Sequence, residues 1–293
     1  MKKKLSTVIP ILVFLFGFGV LLYPTISDAV NARSQTKAIA DYSQAVSEMQ
    51  DIDYQSLLEQ AYAYNEQLTT GKLPFANESD AHEAYQKILR VEKSEVMGAL
   101  DIPSIDVHLP IYHGTGDSVL QSGVGHLEGT SLPVGGESTH AVLSGHRGLP
   151  SSVLFTNLDK MAKKDIFTVS ILDQTFTYQV DQIVTVNPED VQHLEIVPGE
   201  DYLTLLTCTP YGQNTQRLLV RGVRIANAPA AAAPRAEISP ADPMTAVSVA
   251  AAVLLVFTMI ILLMIWHRRH RTPSLKHAER RRFDVHKRKA CHY

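Results

Sequence analysis

Two long apolar runs lie near the two ends of the chain. Residues 5–27 and 243–266 contain no Asp, Glu, Lys or Arg, and each reaches the ~20 residues that a helix needs to cross a bilayer. We therefore predict transmembrane helices within residues 1–27 and over residues 244–266. The first run also suits a cleaved signal peptide, with small residues at Val30-Asn31-Ala32, but its length favours an uncleaved anchor.

Apolar residues recur at helical spacing after the first run. Two sets follow each other at intervals of three and four residues: Ile39, Tyr42, Val46 and Met49, then Leu57, Ala61, Tyr64 and Leu68. Gly71 would end the second of these helices. The pattern predicts a helical region over residues 28–96.

Short runs rich in β-branched residues, separated by Gly and Pro, replace the helical pattern from Met97 onward. The clearest runs are residues 105–112, 139–143, 167–172, 176–186, 202–208 and 217–225. Closely spaced short strands predict a mainly β domain, a barrel or a sandwich, over residues 97–225. The Pro- and Ala-rich residues 226–243 are interpreted as a semi-rigid linker to the membrane.

Charge is divided sharply along the chain. The chain has 27 Lys/Arg and 30 Asp/Glu, of which 13 basic and two acidic residues lie in Lys2-Lys3-Lys4 and the tail 267–293. The rest of the chain, which lies between these two segments, therefore has 14 basic and 28 acidic residues. Because basic flanks stay cytoplasmic, we predict that both termini are inside and that the acidic domain is extracellular. The basic tail is interpreted as an anchor beside anionic lipid, in preference to a nucleic-acid-binding arm.

The chain has two cysteines, Cys208 in the extracellular domain and Cys291 in the predicted cytoplasmic tail. The predicted topology prevents them from pairing with each other. Cys208 is therefore an unpaired thiol in an exported domain. It is either a small buried hydrophobic residue or a reactive nucleophile, and this argument alone does not separate the two.

Cys208 ends one predicted strand and Arg217 begins the next, with the turn-forming run Thr-Pro-Tyr-Gly-Gln-Asn after the cysteine. In a hairpin such residues lie side by side, so we expect Cys208 and Arg217 to be neighbours at one rim of the barrel. A nearby cation favours the thiolate, and a guanidinium can also stabilise an oxyanion. The alternative is a solvated surface arginine.

A cysteine nucleophile needs an acid–base partner, most often histidine. The histidines outside the basic tail are His82, His108, His113, His126, His140, His146 and His193. Of these, His146 follows a predicted strand in Ser144-Gly145-His146-Arg147-Gly148, and His126 lies in a similar loop, Gly125-His126-Leu127-Glu128-Gly129-Thr130. The residues themselves rank His126 and His146 about equally.

Three motifs resemble those of class C, pilus-assembling sortases. Thr204-Leu205-Leu206-Thr207-Cys208 matches the signature Thr-Leu-x-Thr-Cys, and Arg217 matches the family arginine. The block 125–136, followed by Ser144-Gly145-His146, matches the central block of the class. The resemblance covers residues 97–225, and the predicted flanking helices and two spans also suit the class.

The resemblance implies an eight-stranded sortase β-barrel preceded by a helical region, and a cysteine transpeptidase that uses no metal or organic cofactor. Cys208 would attack the Thr–Gly bond of a Leu-Pro-x-Thr-Gly-type sorting signal, His146 would protonate the leaving amine, and Arg217 would hold the substrate and oxyanion. Leu206 and Thr207 of the signature are expected to contact substrate, while His126 becomes a structural residue.

The implied partners are pilin or surface-protein substrates of a Gram-positive cell envelope, with the enzyme in the cell membrane and no nucleic acid involved. A pilin lysine would resolve the thioester, whereas a cell-wall precursor would do so in a housekeeping-type sortase. A membrane-tethered binding domain with a structural cysteine is another alternative. A sortase substrate is excluded because residues 226–243 contain no Leu-Pro-x-Thr-Gly motif.

Class C sortases usually carry a lid with an Asp-Pro-aromatic motif over the catalytic cysteine. The similar element here is Leu73-Pro74-Phe75, which lacks the aspartate that would pair with Arg217. Proline and its restricted predecessor predict a loop over residues 71–80. We expect Phe75 to cover Cys208 only loosely, with a surface-linker role as the alternative.

Overall fold

The structure is a computed structural model that describes residues 2–70, 78–227, 257–259 and 261. Contacts divide the chain into two units, Met1–Ile238 and Ser239–Tyr293. In the second unit the described residues, 257–259 and 261, are helical. The linker 226–243 beyond residue 227, most of the predicted second span, the basic tail, and Phe75 with most of its loop lie outside the described residues.

Three helices precede the barrel: α1 (Lys2–Ser47), α2 (Asp51–Thr70) and α3 (Glu78–Tyr85). The first apolar run and the first amphipathic segment form one continuous helix, α1. Large apolar side chains of α1, such as Phe16 and Leu21, are exposed. Among the described residues α1 is the one helix long and apolar enough to cross a membrane, so two flanking spans stay a prediction.

The apolar faces predicted for α1 and α2 are the faces that pack on the domain. Tyr42 of α1 is buried, and its hydroxyl donates to Met97 O (2.8 Å) and accepts from Leu172 N (2.8 Å). Asn65 of α2 is also buried and makes two bonds with the backbone of Leu132, at 2.7 and 3.1 Å. Because these bonds satisfy buried backbone groups, they fix the helices to the barrel.

Eight strands close into a barrel in the order β1-β2-β3-β4-β7-β8-β6-β5. Their bounds are β1 (Val96–Ile102), β2 (Val107–His113), β3 (Val124–His126), β4 (Thr139–Ser144), β5 (Ile166–Ile171), β6 (Gln174–Val186), β7 (Asp201–Thr209) and β8 (Gln216–Ile225), with a short helix α4 (Asp117–Ser122) before β3. The predicted eight-stranded, mainly β fold is confirmed.

Two strands, β1 and β3, do not correspond to any of the six apolar runs that were clearest in the sequence. β1 is buried on both faces, so its residues do not alternate between apolar and polar. β3 has only three residues, too few for any period to show. It is nevertheless paired on both sides, parallel to β2 and antiparallel to β4, and so completes the barrel wall.

Candidate active site

Cys208 and Arg217 face each other across the β7–β8 hairpin. The register pairs Cys208 directly with Arg217, as the sequence predicted, and pairs Arg217 with Val186 on its other side. Directly opposite residues of antiparallel strands have Cβ atoms roughly 4.5–5.5 Å apart on one face. Leu205 and Thr207 of β7 are fully buried, so the half-buried Cys208 lies on the alternate, outer face.

His146 reaches the same rim from β4, which runs parallel to β7. Ser144 pairs with Leu206, and the Gly145 N–H extends the ladder by donating to Leu206 O at 3.0 Å. The Thr207 hydroxyl donates to Gly145 O at 2.8 Å. His146 and Cys208 each come two residues after the Ser144–Leu206 pair, so the two side chains leave the sheet at the same edge.

The residues after β4 form the His146 loop, residues 146–155, which returns onto its own start. The Phe155 N–H donates to His146 O at 3.0 Å, and the Phe155 ring is fully buried. A Cβ on Gly145 would lie 2.6 Å from that ring, so only glycine fits there. Gly148 in this loop has a φ of +78° and packs under Tyr211, so glycine is favoured there as well.

The Arg217 guanidinium lies over the β7–β8 turn. Its Nη1 donates to Asn214 O at 3.2 Å and to Gln216 O at 3.0 Å. Within the described chain its Nε and Nη2 have no hydrogen-bond acceptor. Because an arginine presents five N–H donors in a rigid fork, two backbone bonds leave donors available to a carbonyl oxygen beside Cys208.

The hydrogen bonds of the histidine rings distinguish His146 from the other candidates. In the described domain, five rings are bonded to protein groups: His82, His108, His113, His126 and His140. The rings of His146 and His193 have no protein partner in the same part of the chain, and His193 lies in the β6–β7 connection. His146 is therefore the histidine beside Cys208 whose nitrogens are available to move a proton.

His126 is a structural residue, in agreement with what the resemblance implied. It is fully buried, with Nε2 2.8 Å from Ser131 O and Nδ1 2.9 Å from the Tyr85 hydroxyl. In the neutral ring, Nε2–H donates to Ser131 O and Nδ1 accepts from the Tyr85 hydroxyl. Burial lowers the pKa of His126 to about 4.

This burial predicts a pH dependence of stability. The unfolded histidine titrates near pH ~6.5. As the pH falls from there to about 4, the unfolded chain takes up a proton that folded His126 does not, so the free energy of unfolding decreases by up to ~3 kcal/mol. We expect His126→Gln to be less stable at neutral pH but to lose less stability between pH ~6.5 and ~4, as measured by denaturant unfolding.

Burial also lowers the pKa of His113 and His140, whereas the carboxylate of Asp101 raises that of His108. Some pH dependence therefore remains in His126→Gln. Identical slopes in the two proteins would show that His126 does not stay neutral in the folded state.

Arg147 is a second cation at this rim, to which the sequence assigned no role. Its side chain is only 9% exposed, with Nη2 2.5 Å from Asp159 and Nη1 donating to Thr209 Oγ1 at 3.3 Å. Its guanidinium carbon lies 5.9 Å from the centre of the Tyr211 ring. Arg147 follows His146 and Thr209 follows Cys208, so this side chain connects the two segments that carry the predicted acid and nucleophile.

The two predicted substrate contacts, Thr207 and Leu206, differ in their exposure to solvent. Thr207 is fully buried, and its hydroxyl is bonded to Gly145 O inside the barrel wall. This corrects its assignment, since it holds the start of the His146 loop and presents no surface to substrate. Leu206 is partly exposed on the same outer face as Cys208 and stays a proposed contact, while Phe75 lies outside the described residues.

The described residues contain no cluster of three or more His, Cys, Asp or Glu side chains suited to a metal ion. The three residues at the rim instead combine a thiol, an imidazole and a guanidinium. Such a set can form a thioester, transfer a proton and stabilise an oxyanion.

Comparison with known proteins identifies the family. Residues 100–225 match the family model described as the Sortase domain. Sortase A of Streptococcus agalactiae serotype III is 33% identical over 128 residues, which cover 43% of this chain and 51% of that protein. The match thus spans about half the length of that relative.

Solved structures extend the similarity beyond the barrel. Sortase C1 of Streptococcus agalactiae is 53% identical with a TM-score of 0.63, over 66% of this chain and 100% of that one. Clostridium perfringens sortase C, solved with the C-terminal cell wall sorting motif, is 42% identical with a TM-score of 0.58, over 66% and 100% of the two chains. The chain therefore belongs to the sortase family of cysteine transpeptidases, and its structural relatives are class C sortases.

Proposed function

We propose that this protein polymerises pilin subunits by transpeptidation. The Cys208 thiolate attacks the threonine carbonyl of a Leu-Pro-x-Thr-Gly-type signal, and the Thr–Gly bond breaks to give a thioester. His146 gives its proton to the departing glycine amine. A lysine amine of the next pilin then attacks the thioester, loses a proton to His146, and forms an isopeptide bond as the thiolate leaves.

One observation carries the proposal. The His146 ring, which has no hydrogen-bond partner in the described domain, lies at the same rim as Cys208 and its strand neighbour Arg217. The Nε and Nη2 donors of Arg217, which are not used by its two backbone bonds, would stabilise the carbonyl oxygen of the substrate as it becomes negative. The pilin acceptor, as opposed to a cell-wall precursor, is supported by the similarity to class C enzymes over the helices as well as the barrel. Partly exposed Leu206 contributes apolar surface beside the thiol.

We also propose that the protein is anchored in the cell membrane by two spans. The exposed apolar side chains of α1 would be covered by lipid, which holds the barrel on the outer face of the cell membrane. Residues 244–266 would return the chain to the cytoplasm, where the basic tail meets anionic headgroups. This topology would present the active-site rim to sorting signals of membrane-bound pilins.

The test is co-expression of the full chain with a pilin that carries a Leu-Pro-x-Thr-Gly-type signal. We expect ladders of high molecular weight that survive boiling in detergent, because isopeptide bonds are covalent. A pilin whose acceptor lysine is replaced by arginine should give no ladder but should still be cleaved after threonine. Single pilins attached to cell-wall peptide, without ladders, would instead assign the housekeeping reaction.

A further inference from the structure

The His146 loop is bound to the helix that leaves the membrane. Asn31 Nδ2 of α1 donates to Ser151 O at 2.7 Å, and Gln35 Nε2 donates to Ser152 Oγ at 3.3 Å. One turn closer to the apolar run, Asp28 Oδ1 accepts from Val153 N at 2.9 Å. These three bonds join residues that are 117–125 positions apart in sequence.

The three α1 residues lie on one face of the helix, at spacings of three and four residues. Gln35 is 6% exposed and Ser152 is 4% exposed, so their bond lies in the interior. Thr36, the neighbour of Gln35, points away and bonds only to Ala32 O of the same helix. The contact is thus made by a defined polar stripe, Asp28, Asn31 and Gln35.

The loop is held in a conformation that it would not adopt alone. Leu154 has a positive φ of +39°, which is sterically unfavourable for a bulky residue. It lies between Val153, which is bonded to Asp28, and Phe155, which is bonded to His146 O. Such strained backbone persists only where the surrounding structure fixes it on both sides.

These contacts form a short path from α1 to the catalytic rim. The polar stripe fixes residues 151–153, Leu154 turns the backbone, and Phe155 holds the carbonyl of His146 at 3.0 Å. On the opposite side, the Gly145–Leu206 and Thr207–Gly145 bonds attach the loop to β7. The position of the His146 ring relative to Cys208 therefore depends on both attachments.

We propose that Asn31 and Gln35 of α1 are positioning residues that hold His146 in register with Cys208 through residues 151–155. The inference rests on the proposed catalytic role of His146. It makes the membrane-emerging helix part of the catalytic apparatus, in addition to being an anchor. None of the three stripe residues touches substrate in this scheme.

The test uses the full chain in detergent or lipid nanodiscs, with a fluorogenic Leu-Pro-x-Thr-Gly peptide as substrate. Asn31→Asp keeps the shape but replaces the donor to Ser151 O by an acceptor, and Gln35→Met removes the bond to Ser152. Because small displacements of a reacting group cost up to ~100-fold, we expect kcat to fall between ~10- and ~100-fold. KM should change less than ~2-fold, since the rim that binds substrate is intact.

Thr36→Ala is the matched control, because it removes a side-chain bond from the same turn of α1 without touching the loop. All rates are divided by the concentration of reactive Cys208, measured by stoichiometric thiol labelling. This correction removes any loss that arises only from a smaller folded fraction. Ser152→Ala should reproduce the kcat loss of Gln35→Met, and the double variant should lose no more than either one.

The outcomes separate this inference from the function on which it depends. If His146→Ala is inactive while Asn31→Asp and Gln35→Met match Thr36→Ala in kcat per labelled thiol, the positioning role is wrong and the catalytic assignment stands. If His146→Ala turns over like the wild type, the catalytic assignment itself is wrong. Additive losses in the Gln35→Met/Ser152→Ala double variant would also overturn the proposal, because the two residues would then act separately.

Discussion

We expect Cys208→Ala to lose all pilin polymerisation and all peptide cleavage while keeping its fold. No other thiol in the described domain can form the thioester, because Cys208 is the one cysteine there. Cys208 lies half-buried on the outer face of β7, and no hydrogen bond of the barrel depends on its thiol. Its removal should therefore change the free energy of unfolding by only about 1 kcal/mol or less.

The measurement combines turnover of the fluorogenic peptide with thermal unfolding of the same preparations. Cys208→Ser is the matched variant, since it replaces only the sulfur by a hydroxyl oxygen, which is a much weaker nucleophile at neutral pH. Both variants should still bind the peptide. Retained ladders in Cys208→Ala would require another nucleophile and would remove Cys208 from the mechanism.

We expect Arg217→Lys to lower kcat by about 100-fold, the usual cost of losing one oxyanion donor. Lysine keeps the charge but replaces the planar fork by a single ammonium group, so it cannot both bond to Asn214 O and Gln216 O and present donors to the substrate. The loss of stability should be small, because the bonds of Arg217 reach only backbone carbonyls at an exposed turn.

Arg221 provides a matched control on the same strand and the same face. It lies four residues from Arg217, about 13 Å along β8. Its guanidinium makes two bonds to Asp181, at 3.1 and 2.5 Å, and stacks 4.0 Å from the Tyr202 ring centre. Arg221→Lys should therefore lower stability more than Arg217→Lys does, with near-normal kcat per reactive thiol.

The two arginine variants together make the assignment testable. A steep loss of kcat in Arg217→Lys with little change in unfolding, and the reverse in Arg221→Lys, is the expected pattern. Near-normal turnover of Arg217→Lys would assign Arg217 to the surface of the turn. Equal losses of kcat in both variants would indicate a general effect of charge or packing on β8.

Local pattern was sufficient to predict much of this protein. The 3.6-residue spacing identified the faces of α1 and α2 that are buried, and the β-branched runs identified six of the eight strands. The turn after Cys208 also predicted its neighbour, because a short hairpin fixes which residues are opposite each other. The observed pairing of Cys208 with Arg217 confirms that prediction.

The tertiary structure distinguishes the surroundings of His126 from those of His146, which the local sequence does not. Both follow short apolar segments and are flanked by glycine, so their local sequences are equivalent. His126 is excluded by burial and by the Tyr85 hydroxyl, a group 41 residues away on α3. The parallel pairing of β4 with β7, which joins segments about 60 residues apart, brings His146 to the same rim as Cys208.

The sequence did not predict the contacts of Arg147, of Thr207 or of the polar stripe on α1, for the same reason. Periodicity and turn chemistry describe interactions over a few residues, since they arise from backbone geometry and steric preference. Apart from Asp159, which lies 12 residues from Arg147, the hydrogen-bond partners of these side chains are 62 to 125 residues away in sequence. Which of them meet depends on closure of the barrel and on the docking of α1, and those are set by the burial of the whole apolar core.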